Sequence, residues 1–240
     1  MVTLFPEIFS PFENASLIGK AVEKKILKFT YINLRDYSHD KHRSVDDTPY
    51  GGGAGMVIKP APVFEMLEDV KDSYKVFLTP GGKPYTQSDA ARLASLDKPL
   101  LLFCGRYEGL DERAVEEFDE QISIGDFVLN GGEVAAMAVV ESVSRLLDGV
   151  IGNMDSVTEE SFSSGLLEYP QYSRPEIFNG KKVPEILLSG NHKLIKEWRK
   201  GRSLLKTRKV RPDLFDKYEM SDLEKKLFEK AQKEEKDGTA

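Results

Sequence analysis

The sequence predicts an α/β domain on a largely parallel sheet, followed by a smaller helical domain. Three observations carry this. Strand-like and helix-like segments alternate over the first two-thirds of the chain, as crossover connections between parallel strands require. Three glycine-bearing loops each follow an apolar strand-like run: Leu78-Thr79-Pro80-Gly81-Gly82, Cys104-Gly105-Arg106-Tyr107-Glu108-Gly109, and Ser123 to Glu133. After Leu147 the alternation stops, Asp148 to Gly165 reads as a Gly-, Asn-, Ser-, Thr- and acid-rich linker, and helical patterning follows.

Taken in order, Phe29-Thr30-Tyr31-Ile32-Asn33-Leu34 reads as a strand. Val63, Phe64, Leu67 and Val70 repeat at helical spacing behind Pro60 and Pro62, as a proline-started helix should. Val76-Phe77-Leu78 is the next strand, and Ala90, Ala91, Leu93 and Ala94 mark a short helix. Leu100 to Phe103 and Gln121 to Ile124 are further strands. From Val134 to Val140 every residue is apolar and several are small. Such a helix needs cover on more than one side, and a domain of about 150 residues supplies little of it, which points to a symmetric dimer. Beyond the linker, Asn191 is placed to cap a helix carrying Leu194, Ile195 and Trp198. Ser221-Asp222-Leu223-Glu224 is a capping box that opens a last helix with Leu227 and Phe228. The charged, small-residue stretch from Glu229 to Ala240 is expected to fray.

Composition narrows the class. With 240 residues and 40% hydrophobic content, the chain has enough apolar side chains for a core and is not generally disordered. No apolar run approaches the ~18 residues of a membrane span, and Met1 to Pro6 lacks the basic start of a signal peptide. The single cysteine, Cys104, excludes an intrachain disulfide or a cysteine-rich zinc cage and reads as a buried structural thiol. These features point to the cytoplasm, with no membrane. The formal charge of −6 weighs against general polyanion binding. Yet Lys193, Lys196, Arg199, Lys200, Arg202, Lys206, Arg208, Lys209 and Arg211 crowd one segment with Glu197 the only acid among them. Local clustering sets the field a polyanion meets; a merely solvated basic helix face is the other reading. There is no Gly-Lys-Ser/Thr phosphate loop, which excludes a P-loop triphosphatase. His39 and His42 sit three apart without the makings of a full metal-ligand set.

Glycine permits close approach of backbone, and open parallel sheets bind ligands at their strand carboxyl ends. Three such loops therefore point to a nucleotide-like small molecule held by main-chain atoms. The loop sequences go further. Gly105 to Arg113 and Ser123 to Glu133 closely resemble the bacterial tRNA (guanine-N1)-methyltransferase (TrmD) family. So do His39 to Asp47, Pro49 to Met56, and Leu187-Leu188-Ser189-Gly190-Asn191-His192. The resemblance runs over nearly the whole chain. It implies a SPOUT fold with a deep trefoil knot, which spacing alone would not predict because threaded chains are rare. It also implies S-adenosylmethionine bound in the knot and a homodimer whose subunits together build each active site. The reaction would be methylation at N1 of the guanine immediately 3′ of the anticodon. On this basis residues 1–152 form the cofactor-binding catalytic domain, 153–168 an interdomain linker, and 169–240 a helical tRNA-binding domain.

By the same resemblance the cofactor positions are Leu78, Thr79, Pro80, Gly105, Tyr107, Glu108, Ile124, Gly125, Asp126, Phe127, Val128, Leu129, Gly131 and Gly132. Asp126 would face the methionine moiety, with an Asx turn as the plainer alternative. Glu108 is the candidate for the magnesium on which the family depends. The family's proposed base is an Asp in an Asp-Ser-Phe motif, where this chain has Glu160-Ser161-Phe162. The extra methylene moves the carboxylate by ~1 Å unless the loop adjusts. Glu168 is a second departure, where relatives often carry Asp, and Glu168 and Asp155 are the alternative bases. Arg145 matches an arginine supporting proton transfer, although a cation at a helix C-terminus also satisfies the dipole. Asp46 and Gly55 would face the target base. Lys193, Arg199, Arg202 and Arg208 would contact phosphates of the anticodon branch. The first strand is short, since relatives begin with a few more apolar residues before Leu4-Phe5-Pro6; a late start site would account for it. Two other readings stay open, a SPOUT methyltransferase acting on ribosomal RNA and a non-catalytic RNA-binding module with the cofactor fold.

Overall fold

The computed structural model describes residues 1–152 and 160–237. The chain divides into two compact units, Met1–Gly152 and Asn153–Ala240.

In the first unit β1 (Val2–Thr3) leads through a 3-10 turn to α1 (Ser10–Glu13) and α2 (Ser16–Glu23). Next come β2 (Ile32–Asn33), β3 (Asp46–Asp47), β4 (Val57–Ile58), α3 (Pro60–Asp69), β5 (Tyr74–Pro84) and α4 (Gln87–Ala94). They are followed by β6 (Leu100–Cys104), α5 (Glu112–Val115), β7 (Glu120–Ser123) and α6 (Glu133–Ser144). Five strands make one sheet in the order β2-β1-β6-β5-β7, and all of its pairings are parallel. Parallel sheets are covered on both faces, and the side chains alternate accordingly. Phe77, Leu101 and Phe103 enter one core with Leu34, Ile58, Val63 and Met66. Val76, Leu78, Leu102 and Cys104 enter the other with Phe9, Leu93, Ala136 and Val139. Phe103 and Phe118 pack edge to face at 5.3 Å, which fixes the first core beneath β5 and β6.

Two strands differ from their sequence readings. Only Ile32 and Asn33 of the expected Phe29–Leu34 strand pair, because Asn33 caps a 3-10 turn that starts at Leu34. β5 is much longer than Val76–Leu78. Leu78 pairs with Ile122, and Lys83 pairs with the same Ile122, so the ladder restarts after an excursion from Thr79 to Gly82.

The second unit contains β8 (Ile177–Phe178), β9 (Lys181–Lys182), α7 (Glu185–Leu188), α8 (His192–Val210), α9 (Pro212–Phe215) and α10 (Asp222–Lys236). Asn191 caps α8 through Leu194 N–H, and the Ser221/Glu224 capping box opens α10. Leu166, Leu204, Leu205, Phe228 and Ala231 form the core. Leu166 and Leu167 fall within the expected linker, yet both are buried here. Ser203 Oγ donates to Leu167 O at 2.6 Å and Leu167 N–H donates to Thr207 Oγ1 at 2.9 Å, which pins this segment to α8. The fraying expected from Glu229 is corrected as far as Lys236, where α10 ends, because Ala231 is buried in the core with Leu204 and Leu205 of α8; residues 238–240 lie outside the described residues. Among the described residues no helix is long and apolar enough to cross a membrane.

Candidate active site

The carboxyl ends of β5, β6 and β7 are pressed together by two glycines. A Cβ at Gly82 would lie 2.6 Å from the Ile122 backbone, where β5 rejoins the ladder. A Cβ at Gly132 would lie 2.7 Å from Cys104 Cα, and Gly132 N–H donates to Gly105 O at 2.8 Å. Larger side chains at either position would force the loops apart. Between the loops lies a cavity of about 360 Å³. It is lined by Leu78, Thr79, Pro80, Gly105, Tyr107, Glu108, Ile124, Gly125, Phe127, Val128, Leu129, Gly131 and Gly132. Asp126, expected among them, is exposed and does not line it. The turn has Phe127 N–H donating to Gly125 O at 2.9 Å, which closes across Asp126.

Sequence reading missed the group beneath these loops. Glu133, the first residue of α6, is 1% exposed. It accepts from Thr3 Oγ1 at 2.7 Å and pairs with Arg106 Nη2 at 2.9 Å. Arg106 also donates through Nη1 to Asn130 O at 3.1 Å and lies over the Phe5 ring at 4.5 Å. One guanidinium thus ties the β6 loop to the β7 loop and to the end of β1. A glutamate opening a helix looks in sequence like an ordinary dipole partner, so nothing there marked it as buried. The same burial, reinforced by the Glu133 carboxylate, pushes the Cys104 thiol up.

A further segment reaches the cavity rim. Glu108 N–H donates to Met56 O at 2.9 Å, and Ile58 N–H donates to Gly109 O at 2.9 Å. These bonds sew the 46–58 segment to the β6 loop. A Cβ at Gly55 would run into the Glu108 side chain. Asp46 lies beside Tyr107, whose phenol is pushed up by burial and then by that carboxylate. Asp46 and Gly55 therefore stand next to Tyr107 and Glu108, although more than fifty residues separate them in sequence. His39 pairs with Glu65 at 2.8 Å. Among the described residues no group of three His, Cys, Asp or Glu side chains is gathered for a metal.

Arg145 is the half-buried residue that ends α6 in the first unit. In the second unit, Glu160 is half-buried and lines a groove of about 1010 Å³ together with Glu168, Lys193, Lys196, Arg199 and Lys200. Asp155 lies outside the described residues. Lys193 and Arg208 are exposed on α8, and Arg199 lies over the Tyr169 ring at 4.7 Å. Arg202 is a correction. It is 7% exposed, paired with Glu234 at 2.9 Å and laid over Trp198 at 5.4 Å, so it holds α8 to α10 and does not face a phosphate.

Fold and site together define an α/β protein with a cavity of small-ligand size at its strand carboxyl ends and a helical unit whose long helix exposes basic side chains. The chain belongs to the tRNA (guanine-1)-methyltransferase family TrmD, which matches residues 1–217. It is 54% identical over 231 residues, 95% of both chains, to a tRNA (guanine-N(1)-)-methyltransferase of Clostridium botulinum strain Hall. It is 51% identical over 237 residues, 98% of both, to a relative of the same name in Clostridium novyi. A third relative of that name in Clostridium tetani is 50% identical over 231 residues, 95% of this chain and 96% of its own.

Proposed function

We propose that the protein transfers a methyl group from S-adenosylmethionine to N1 of the guanine immediately 3′ of the anticodon in tRNA. The observation that carries this is the convergence of three main-chain loops on one cavity of about 360 Å³, in a chain half identical over its length to enzymes named for the reaction. The volume lies within the range of small-molecule sites. The donor fits the residues present. Main-chain groups at Leu78, Gly105 and Gly131 offer hydrogen-bonding edges, Ile124, Phe127 and Leu129 offer apolar cover, and Glu108 offers negative charge toward a sulfonium. When bound, S-adenosylmethionine supplies an electrophilic methyl.

The chain's residues orient the donor and remove a proton. Guanine N1 carries a hydrogen at neutral pH, and its lone pair becomes available only when that hydrogen leaves. Glu160 accepts it, and Arg145 stabilises the charge that develops. A carboxylate is a weak base, so position more than basicity sets its effectiveness. Glu108 is the residue to hold a magnesium ion, one or two protein carboxylates being enough for this metal. Asp46 and Gly55 face the target base, while Lys193, Arg199 and Arg208 meet phosphates, which supply affinity without reading sequence. An anticodon loop suits this division, since its bases are accessible to edge reading.

On this reading residues 1–152 are the catalytic domain, 153–168 the linker and 169–240 the tRNA-binding domain. The cofactor loops form a trefoil knot, and the protein works in the cytoplasm as a homodimer. Val128 at 83% exposure, with exposed Phe127, Leu129 and Val134 beside the cavity, supports the dimer, because contiguous exposed apolar side chains mark interaction surfaces. A monomer in sedimentation at micromolar concentration would count against it. The reaction is tested with labelled S-adenosylmethionine and tRNA transcripts that differ only at the guanine after the anticodon. Label should enter the parent and not the variant; donor binding without transfer to either would refute it.

A further inference from the structure

The second unit holds another cavity, of about 630 Å³, which the reaction above leaves unused. Tyr169, Tyr172, Trp198 and Arg199 wall it, and Arg174 and Glu176 line it as well. Tyr172 and Trp198 meet in its wall with ring centroids 6.4 Å apart and planes inclined at 53°. That separation and tilt are those of two rings in contact with each other, so they form one aromatic platform. Tyr172 is 47% exposed, whereas Trp198 is held from below by the Arg202 guanidinium at 5.4 Å. Arg199 stacks on Tyr169 at 4.7 Å, which places a second cation in the wall. The β8–β9 hairpin follows directly, closed by Val183 N–H donating to Glu176 O at 2.9 Å, and it presents exposed Phe178, Lys181 and Lys182.

Open π faces ringed by guanidinium and ammonium groups match a nucleobase on a polyanionic strand, because every base has a stackable face and every linkage a negative charge. We propose that this cleft receives an unstacked base of the tRNA, other than the methylated guanine, stacked on the exposed Tyr172 ring beside Trp198. The proposal rests on tRNA being the substrate and adds a second base-binding site on the helical unit.

Trp198 is the only tryptophan in the chain, so its emission reports on the cleft. Full-length protein is titrated with tRNA transcripts carrying single abasic positions outside the target guanine. Intact tRNA should quench Trp198, and one abasic position should abolish the quench. Tyr172→Ala should raise KM for tRNA on the order of tenfold, as loss of one base–aromatic stack does, and should move kcat less. Tyr172→Phe keeps the ring and should restore KM. Unchanged emission with tRNA that is being methylated, or an unchanged KM in Tyr172→Ala, overturns the cleft. So does an emission change that follows protein concentration without RNA, which would assign the cleft to a second copy of the chain. Absent methyl transfer with every tRNA overturns the proposed reaction, and it overturns the cleft too only if Trp198 emission is also unmoved.

Discussion

Replacing Arg106 by alanine strips a guanidinium from a carboxylate that is 1% exposed. Removing one partner of a buried ion pair costs about 3–5 kcal/mol, because the remaining charge is left without compensation. Two features reduce this. The Arg106 side chain is 21% exposed, so water already screens part of the pair. Glu133 also keeps the Thr3 hydroxyl at 2.7 Å and its place in the first turn of α6, where the helix dipole contributes about 0.3–1 kcal/mol. The expected loss is therefore about 2–4 kcal/mol, or roughly 5–15 °C in the melting temperature of a unit this size. Urea unfolding and calorimetry of the full chain measure it. The double variant Arg106→Met/Glu133→Gln removes both charges at similar volume and should recover at least half of the loss, since hydrophobic replacement of a buried pair is often neutral. A loss below about 0.5 kcal/mol for Arg106→Ala, the scale of an ordinary surface change, would refute the argument. A double variant no better than the single would do the same.

Three other outcomes are expected. Gly132→Ala, whose Cβ would meet Cys104 Cα at 2.7 Å, should weaken S-adenosylmethionine binding by more than about tenfold in calorimetry, a loss of at least ~1.4 kcal/mol, with the circular dichroism spectrum kept. Asp89 is buried, which works to raise its pKa, but Lys83 at 2.8 Å and the Thr86 hydroxyl and amide outweigh that and hold it at about 2. Because this lies below the unfolded value of about 3.9, the stabilisation is complete above roughly pH 4 and is lost as pH falls toward 2. Asp89→Asn should accordingly cost about 2 kcal/mol at pH 7 and little at pH 2, read from urea midpoints across that range. Glu160→Gln should abolish methyl transfer and leave donor affinity intact; wild-type turnover would shift the role of base to Glu168 or Asp155.

The three loops were legible because glycine after an apolar run is a strong local signal, and both elements of the signal are short-range. Cys104 and the Ser221 capping box were legible for the same reason. What sequence could not convey was who meets whom. Arg202 looked like one more cation in a basic run, and only the packing of α10 on α8 brings Glu234 to it. Glu133 and Arg106 are 27 residues apart and meet because β6 and α6 lie side by side. Asp126 resembled a pocket residue by its neighbours, yet its turn directs it outward. The length of β5 was hidden because Pro80-Gly81-Gly82 reads as an end, and its return to Ile122 is a long-range event.

That return has a use. The residues from Thr79 to Gly82 leave the ladder as an excursion, and β5 returns to the same partner residue, Ile122, at which it left. The excursion lines the proposed donor cavity through Thr79, Pro80 and Gly81, so its length is uncoupled from the sheet that carries it. An engineer seeking acceptance of bulkier sulfonium analogues could lengthen or trim the chain between Leu78 and Gly82 while the scaffold keeps its alignment, provided the glycine at the re-entry point is retained.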